Sequence, residues 1–138
     1  MNFKELAEKR FSARKYTDEP VSKADIDYIM ECTRLAPSAH NLQPWKFLLL
    51  TSEEAKRKIR QCYDRRWFTT APMYVLAMKD TAGCWVRPDD GKAHGDIDLG
   101  IAVEHGRTVD VEVVDAQVVG VLGPDLAVDH AIEVAGIR

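Results

Sequence analysis

The stretch APSAHNLQPW, residues 36–45, lies between a helix-like run and an apolar strand-like run. Pro37 and Pro44 fix φ and remove N–H donors, which predicts an ordered elbow between two core elements rather than a loose loop. Hydroxyl, imidazole and amide groups lie between the prolines, on Ser38, His40, Asn41 and Gln43. Such a density of donors and acceptors suits a flat ligand with polar edges. The alternative is a plain helix-to-strand turn, in which Asn and Ser bond only locally.

Length and composition predict one globular domain. The chain has 138 residues, of which 46% are hydrophobic and 30% charged, and its net charge is −3. This mild acidity gives no support for a nucleic-acid partner, which needs a basic face. No apolar run is long enough to span a bilayer, and residues 1–11 lack the apolar core of a secretion signal. We therefore expect a cytoplasmic protein without membrane contact, whose three cysteines are buried free thiols.

A cationic segment, RFSARKY, occupies residues 10–16. If the segment is extended, alternation puts Arg10, Ser12 and Arg14 on one side. Two guanidinium groups and a hydroxyl suit a phosphate, because Arg gives bidentate, charge-assisted hydrogen bonds. A solvated basic turn is the alternative.

Hydrophobic periodicity predicts the surrounding elements. Residues 2–9 form a short amphipathic helix, and Ser22, with Asp25 as its capping partner, begins a second one. The buried face of that second helix comprises Ile26, Ile29, Met30 and Thr33. The apolar runs at residues 45–51 and 72–79 are typical of strands covered on both faces. A helix capped by Ser52 is expected between them, reaching about Tyr63, with an inward face of Ala55, Ile59 and Cys62.

Residues 80–96 form a long polar segment, and loops of this length tend to be functional or mobile. Its carboxylates and histidine, with the start of the next helix, allow a metal site and hence metal-dependent hydrolysis: Asp89, Asp90, His94, Asp96 and Asp98. No dedicated ligand spacing supports this reading. Asp96 is instead expected to cap the helix DIDLGIAVEH, whose buried face would hold Ile97, Ile101 and Ala102.

Two motifs in order resemble the nitroreductase family of flavoproteins: Arg10-x-Ser12-x-Arg14, then Ala36-Pro37-Ser38-Ala39-x-Asn41-x-Gln43-Pro44-Trp45 and a strand. The alanine–proline step before PMYVLAMK and the helix opening GDIDLGIAVEH are similar to later landmarks of that family. The likeness covers residues 3–105. It implies an α+β, nitroreductase-like fold with a central mixed sheet flanked by helices.

The resemblance also implies an obligate homodimer with FMN at its interface. Arg10, Ser12 and Arg14 of one subunit would hold the phosphate and the ribityl or ring-edge groups. The elbow of the other subunit would border the isoalloxazine through Pro37, Ser38, Ala39, Asn41 and Gln43. NAD(P)H would give hydride to the flavin, and a small acceptor such as a nitroaromatic or quinone would take it in a ping-pong cycle. This chemistry requires no catalytic side chain and no metal.

The last 33 residues depart from the family pattern, since they contain neither lysine nor an aromatic residue. The resemblance therefore implies an incomplete FMN-binding domain at residues 1–105 and an atypical, Val-rich segment at residues 106–138 that is strand-like or poorly ordered. A truncated, frame-shifted or fused carboxyl end would explain the change. The alternative function is then a non-catalytic remnant of the fold with weak or no FMN binding.

Overall fold

The computed structural model describes residues 2–107 and the backbone of residues 116–120. The helices in this part of the chain are α1 (Phe3–Lys9), α2 (Lys23–Arg34), α3 (Glu53–Arg60), α4 (Arg66–Thr69) and α5 (Gly95–Arg107). The strands are β1 (Trp45–Leu50), β2 (Met73–Lys79) and β3 (Ala116–Gly120). The predicted helices and strands are confirmed, whereas the single turn α4 is an addition that periodicity did not indicate.

The sheet has the order β1-β2-β3 and is mixed, as predicted. β1 and β2 are antiparallel, with Trp45 opposite Lys79 and Leu50 opposite Tyr74. β2 and β3 are parallel, with Met73 opposite Ala116. The Val-rich tail contributes β3 to the sheet at residues 116–120. The rest of the prediction for residues 108–138 lies outside the described residues.

Both faces of the sheet are covered, which explains the uninterrupted apolar runs of β1 and β2. Because side chains alternate along a strand, Leu48, Leu50, Tyr74 and Leu76 pack on one face with residues of α3 and α4. Phe47, Met73, Val75 and Ala77 pack on the other face with Leu99 and Ala102 of α5. The elbow at residues 36–45 enters β1 at the edge of this second core.

α2 and α5 pack closely because a glycine lies at their contact. A Cβ built on Gly106 would lie 2.5 Å from the hydroxyl oxygen of Thr33, which is buried and donates to the carbonyl oxygen of Ile29. The described part of α5 reaches Arg107, just beyond the predicted domain boundary at residue 105. The tight contact therefore joins the last described turn of α5 to the core.

The buried stripe of α5 differs from the predicted face. It comprises Gly95, Asp98, Leu99, Ala102 and Gly106. Ala102 is buried as expected and Ile101 is partly buried, but Ile97 is 53% exposed, so its predicted place was wrong. Glycines near both ends of the described helix determine which face of α5 is buried, because glycine allows the helix to approach its neighbours closely.

The predicted cap of α5 was also wrong. The helix begins at Gly95, and the carbonyl oxygen of His94 accepts from the backbone N–H of Ile97 and of Asp98 at 3.0 and 3.1 Å. The Asp96 carboxylate instead pairs with Lys79 Nζ at 2.6 Å. Asp96 thus lies inside the first turn and links α5 to the end of β2.

α3 ends earlier than predicted, at Arg60, so the extension to about Tyr63 and the inward place of Cys62 were wrong. Ala55 and Ile59 are buried as expected, and Phe68 of α4 fills the adjacent core. All three cysteines are free, as predicted. Their predicted burial was wrong, because Cys62 is exposed and the other two are half-buried.

α1 has the capping box that its first residues allow: Asn2 Oδ1 accepts from the Glu5 N–H at 3.0 Å, and the Asn2 N–H donates to Glu5. It buries no residue, and Phe3 is 81% exposed. No helix within the described residues is both long enough and apolar enough to cross a membrane.

Candidate functional site

The elbow is a strained segment of backbone. A 3-10 turn at Ala39–Asn41 follows Pro37, and three residues other than glycine have positive φ: His40 at 52°, Asn41 at 54° and Gln43 at 49°. Such conformations cost of order 1–3 kcal/mol each and persist only where surrounding contacts determine them. Because strain of this kind concentrates at functional sites, the elbow is the first candidate for a site.

Two predicted site residues hold the elbow from within. The hydroxyl oxygen of Ser38 accepts from the backbone N–H of Gln43 at 2.8 Å. The side-chain amide of Gln43 donates to the carbonyl oxygen of Arg34 at 2.9 Å, at the end of α2. That carbonyl is one of the terminal groups of a helix that find no partner inside it. Ser38 and Gln43 therefore shape the elbow and fasten it to α2.

A third anchor comes from α5. The backbone N–H of Ala39 donates to Asp98 Oδ1 at 3.0 Å, across a separation of 59 residues. Asp98 is only 3% exposed, and its second oxygen, Oδ2, is buried without a hydrogen-bond partner among the described residues. Sequence reasoning treated Asp98 only as a possible metal ligand. It lies one turn before Ala102, so a correct register for α5 would have placed it on the inward face.

A column of rings supports the elbow from the segment before α5. His40 packs on Trp85 with ring centroids 5.3 Å apart, and Trp85 packs on His94 at 4.8 Å. The backbone N–H of His94 donates to the carbonyl oxygen of Trp85 at 2.9 Å. An isolated bridge joins Val86 to Ala93, so the long polar segment is folded back on itself. Its proximity to the elbow could not be read from periodicity.

The polar segment contains an internal ion pair. Arg87 forms a bidentate pair with Asp90, whose Oδ1 lies 2.8 Å from Arg87 Nε. This hydrogen bond is the main reason why the pKa of Asp90 lies below, and that of Arg87 above, its ordinary value. Among the described residues no three His, Cys, Asp or Glu side chains are grouped to hold a metal ion. The geometry of this segment therefore gives the metal-hydrolysis reading no support.

The cationic segment lies against the last turns of α5. Arg10 Nε is 3.9 Å from Glu104 Oε1, and Arg107 donates to the hydroxyl oxygen of Ser12 at 3.4 Å. Both contacts are long, so they hold the Arg10 and Ser12 side chains only loosely. Arg14 is exposed and makes no side-chain hydrogen bond or ion pair within the described part of the chain. This segment therefore presents cations to solvent, as a phosphate site requires.

The structure brings the eight predicted residues into two groups rather than one. Pro37, Ser38, Ala39, Asn41 and Gln43 form the elbow beside the first turn of α5, whereas Arg10 and Ser12 contact its last described turns and Arg14 follows them in the cationic segment. Asp98 and Arg107 are nine positions apart on the helix, which corresponds to about 14 Å along its axis. Asn41 is exposed, and its side chain has no partner among the described residues.

A separate cleft of about 430 Å³ opens at the other end of the strands. Its lining includes Thr51 after β1, Met73 at the start of β2, and the side chains of Lys56 and Arg60. Trp45 and Thr51 are six strand positions apart, or about 20 Å. The cleft is therefore distinct from the elbow.

Comparisons with known proteins all point to one family. Residues 7–81 match the family model described as the Nitroreductase family. FMN reductase (NAD(P)H) of Bacillus subtilis is 36% identical over 70 residues, which make up 50% of this chain and 28% of that protein. The chain thus spans less than a third of the length of this curated relative.

Solved structures agree with the fold. A nitroreductase family protein from Clostridium difficile 630 superposes with a TM-score of 0.70 at 35% identity, over 78% of this chain and 61% of that one. An FMN-dependent nitroreductase from Clostridium difficile R20291 has a TM-score of 0.61 at 26% identity, over 75% of this chain and 57% of that one. The α+β, nitroreductase-like fold expected from the sequence is therefore confirmed.

Proposed function

This chain belongs to the nitroreductase family, and from that premise we propose that it is an FMN-dependent oxidoreductase. The proposed reaction moves hydride from NAD(P)H to a small acceptor such as a nitroaromatic or a quinone, in a ping-pong cycle. When bound, FMN supplies the hydride chemistry, and the protein supplies position and electrostatics. The names of the Bacillus subtilis FMN reductase and of the Clostridium difficile FMN-dependent nitroreductase support this choice of cofactor.

The observation that carries the proposal is the strained elbow with its outward polar side chains. Ser38, Gln43 and the N–H of Ala39 are engaged in holding its backbone, while the Asn41 amide is exposed. A fixed backbone with one free amide suits the polar edge of an isoalloxazine, because a preorganised contact loses little freedom on binding. We assign Asn41 to direct contact with the flavin. The other predicted elbow residues shape the flavin-binding surface: Pro37, Ser38, Ala39 and Gln43.

The cationic segment completes the cofactor site. Arg10 and Arg14 carry the charge that a phosphate monoester requires, and Ser12 adds a hydroxyl between them. The loose contacts of Arg10 and Ser12 with α5 can be exchanged for phosphate contacts at little cost. No side chain is assigned a proton or a covalent step, since positioning alone serves this reaction.

We further propose that two copies of the chain form the site. Elbow and cationic segment adjoin opposite ends of α5 in one protomer, so the elbow of one copy would meet the cationic segment of the other. Exposed apolar side chains on α2, the elbow and α5 support a partner surface: Tyr28, Leu35, Leu42 and Ile97. The free cysteines fit the reducing cytoplasm, where we place the protein.

Flavin titration of the full chain, with its oligomeric mass measured in the same samples, tests the proposal. We expect saturable FMN uptake by a dimer, and oxidation of NAD(P)H when a quinone or nitroaromatic is present. Riboflavin, which lacks the phosphate, should bind more weakly. A colourless chain that takes up neither flavin would refute the proposal and favour a non-catalytic remnant of the fold.

A further inference from the structure

Asp98 has an unusual environment for a carboxylate. It is 3% exposed on the buried stripe of α5, and the backbone N–H of Ala39 is its hydrogen-bond partner, at 3.0 Å. Its other oxygen is buried and has no partner among the described residues. Burying a charge is costly unless it is well paired. A small apolar residue would fill this place with less loss of solvation, so fold stability alone does not explain an aspartate here.

Among the described residues, the hydrogen bond of the Asp98 side chain falls at the point where the elbow needs support. Ala39 directly precedes His40 and Asn41, which both have positive φ and therefore an unfavourable backbone conformation. Hydrogen bonds to a charged acceptor are about twice as strong as neutral ones. The carboxylate thus fixes the first residue of the 3-10 turn and ties the turn to a helix of the core.

We propose that Asp98 is a positioning residue that holds the elbow in its flavin-binding conformation. The inference rests on the proposed function, since it concerns the same site. Removing the carboxylate lowers the fraction of molecules whose elbow is competent, and the apparent dissociation constant of a ligand rises by the inverse of that fraction. Loss of one charge-assisted hydrogen bond then corresponds to an increase of about tenfold or more.

In the proposed function, the elbow contacts the isoalloxazine ring of FMN and not its phosphate. The loss of affinity caused by removing the Asp98 carboxylate should therefore be the same with and without the phosphate. Asp98→Ala is expected to weaken FMN and riboflavin by the same factor, so that the ratio of their dissociation constants is unchanged. A variant of the cationic segment would change that ratio. This distinguishes elbow positioning from general damage to the site.

The experiment compares Asp98→Ala, Asp98→Asn and Asp96→Ala in the full chain. Asp98→Asn keeps an oxygen that can accept from Ala39 and should restore much of the affinity. Asp96 shares the first turn of α5 and its dipole but pairs with Lys79, so Asp96→Ala is the matched control and should leave flavin binding unchanged. Each variant is measured for both dissociation constants, for its thermal midpoint and for hydrogen exchange of the Ala39 amide.

Faster exchange at Ala39 and equal weakening of both flavins, with a thermal midpoint within about 4 °C of the parent, would support the proposal. A lower midpoint with unchanged flavin affinity would overturn it, because Asp98 would then be merely structural. If Asp98→Ala does not fold, Asp98→Asn is used to test the proposal. A tenfold loss of flavin affinity in Asp98→Asn, with unchanged hydrogen exchange at Ala39, would contradict elbow positioning. If the parent chain binds no flavin, the proposed function fails by itself, and Ala39 exchange still decides whether Asp98 holds the elbow.

Discussion

The side chain of Gln43 reaches back to Arg34 and donates its amide hydrogen to the main-chain carbonyl oxygen at 2.9 Å. One residue of the elbow therefore closes the end of α2, and a change at Gln43 acts on the helix and on the site together. The elbow and α2 are therefore coupled. Side chains of the elbow itself stabilise its strained backbone, and α5 adds a contact from outside.

Gln43→Met tests this link. Methionine keeps the length of the side chain but removes the donor, so the Arg34 carbonyl loses its bond and the free energy of unfolding should fall by about 1–2 kcal/mol. Urea denaturation measures the change. Gln61→Met is the matched control, because Gln61 is exposed at the end of α3 and its side chain has no partner in the described residues. Equal stability of the two variants would contradict the link.

Asn41→Gly separates binding from stability. Glycine accepts the positive φ of this position without strain, and the exposed amide makes no contact within the described residues. Folding stability should therefore stay within about 0.5 kcal/mol, while FMN affinity falls by about 5–10-fold for the lost hydrogen bond. Isothermal titration and urea denaturation measure the two quantities. Undiminished affinity would remove Asn41 from the site.

Arg14→Gln tests the phosphate assignment. A hydrogen bond to a charged group is worth about 1.5–3 kcal/mol, so FMN should bind about 10–150-fold more weakly, and riboflavin as before. Lys15→Gln removes a neighbouring positive charge and serves as the control. If both variants weaken FMN equally, general attraction by the basic segment explains binding, and a specific role for Arg14 is excluded.

Gly106→Ala tests the contact between α2 and α5. The added Cβ would lie 2.5 Å from Thr33 Oγ1, whose bond to Ile29 resists displacement, so the variant should lose about 1–3 kcal/mol of stability. Gly100→Ala is matched, because a Cβ there meets no atom within 4 Å. Alanine in a helix interior should then add about 0.5–1 kcal/mol. Thermal unfolding of both variants measures these changes. Unfolding midpoints that shift in the same direction in both variants would contradict the tight contact at Gly106.

The Arg87–Asp90 pair gives a pH prediction. The hydrogen bond from Arg87 lowers the pKa of Asp90 below its ordinary 3.8, so the native state binds a proton there less readily than the unfolded chain. Its contribution to stability is present above the ordinary value and is lost as pH falls through the lowered one. In a carboxyl ¹³C titration, Asp90 should titrate below 3.8, and Arg87→Gln should return it toward that value. No shift in the Arg87 variant would contradict this cause.

Much of the fold could be predicted from local patterns. The uninterrupted apolar runs of β1 and β2 indicated strands buried on both faces, and Ser22 and Ser52 cap α2 and α3 as expected. The site was predicted as two motifs, with a helix between them and a strand after the second. These features depend on neighbours along the chain, since period, capping and proline geometry are local properties.

Other features required the tertiary structure. Hydrophobicity favoured Ile97 for the inward face of α5, yet the glycines of that helix set another register and left Ile97 exposed. The partner of Ala39 lies 59 residues away, and no local pattern specifies it. The sequence by itself determined which segments are helix, strand and elbow, because sterics and periodicity act over a few residues. Only the tertiary structure decided which carboxylate holds the elbow, because that depends on which helix faces pack together.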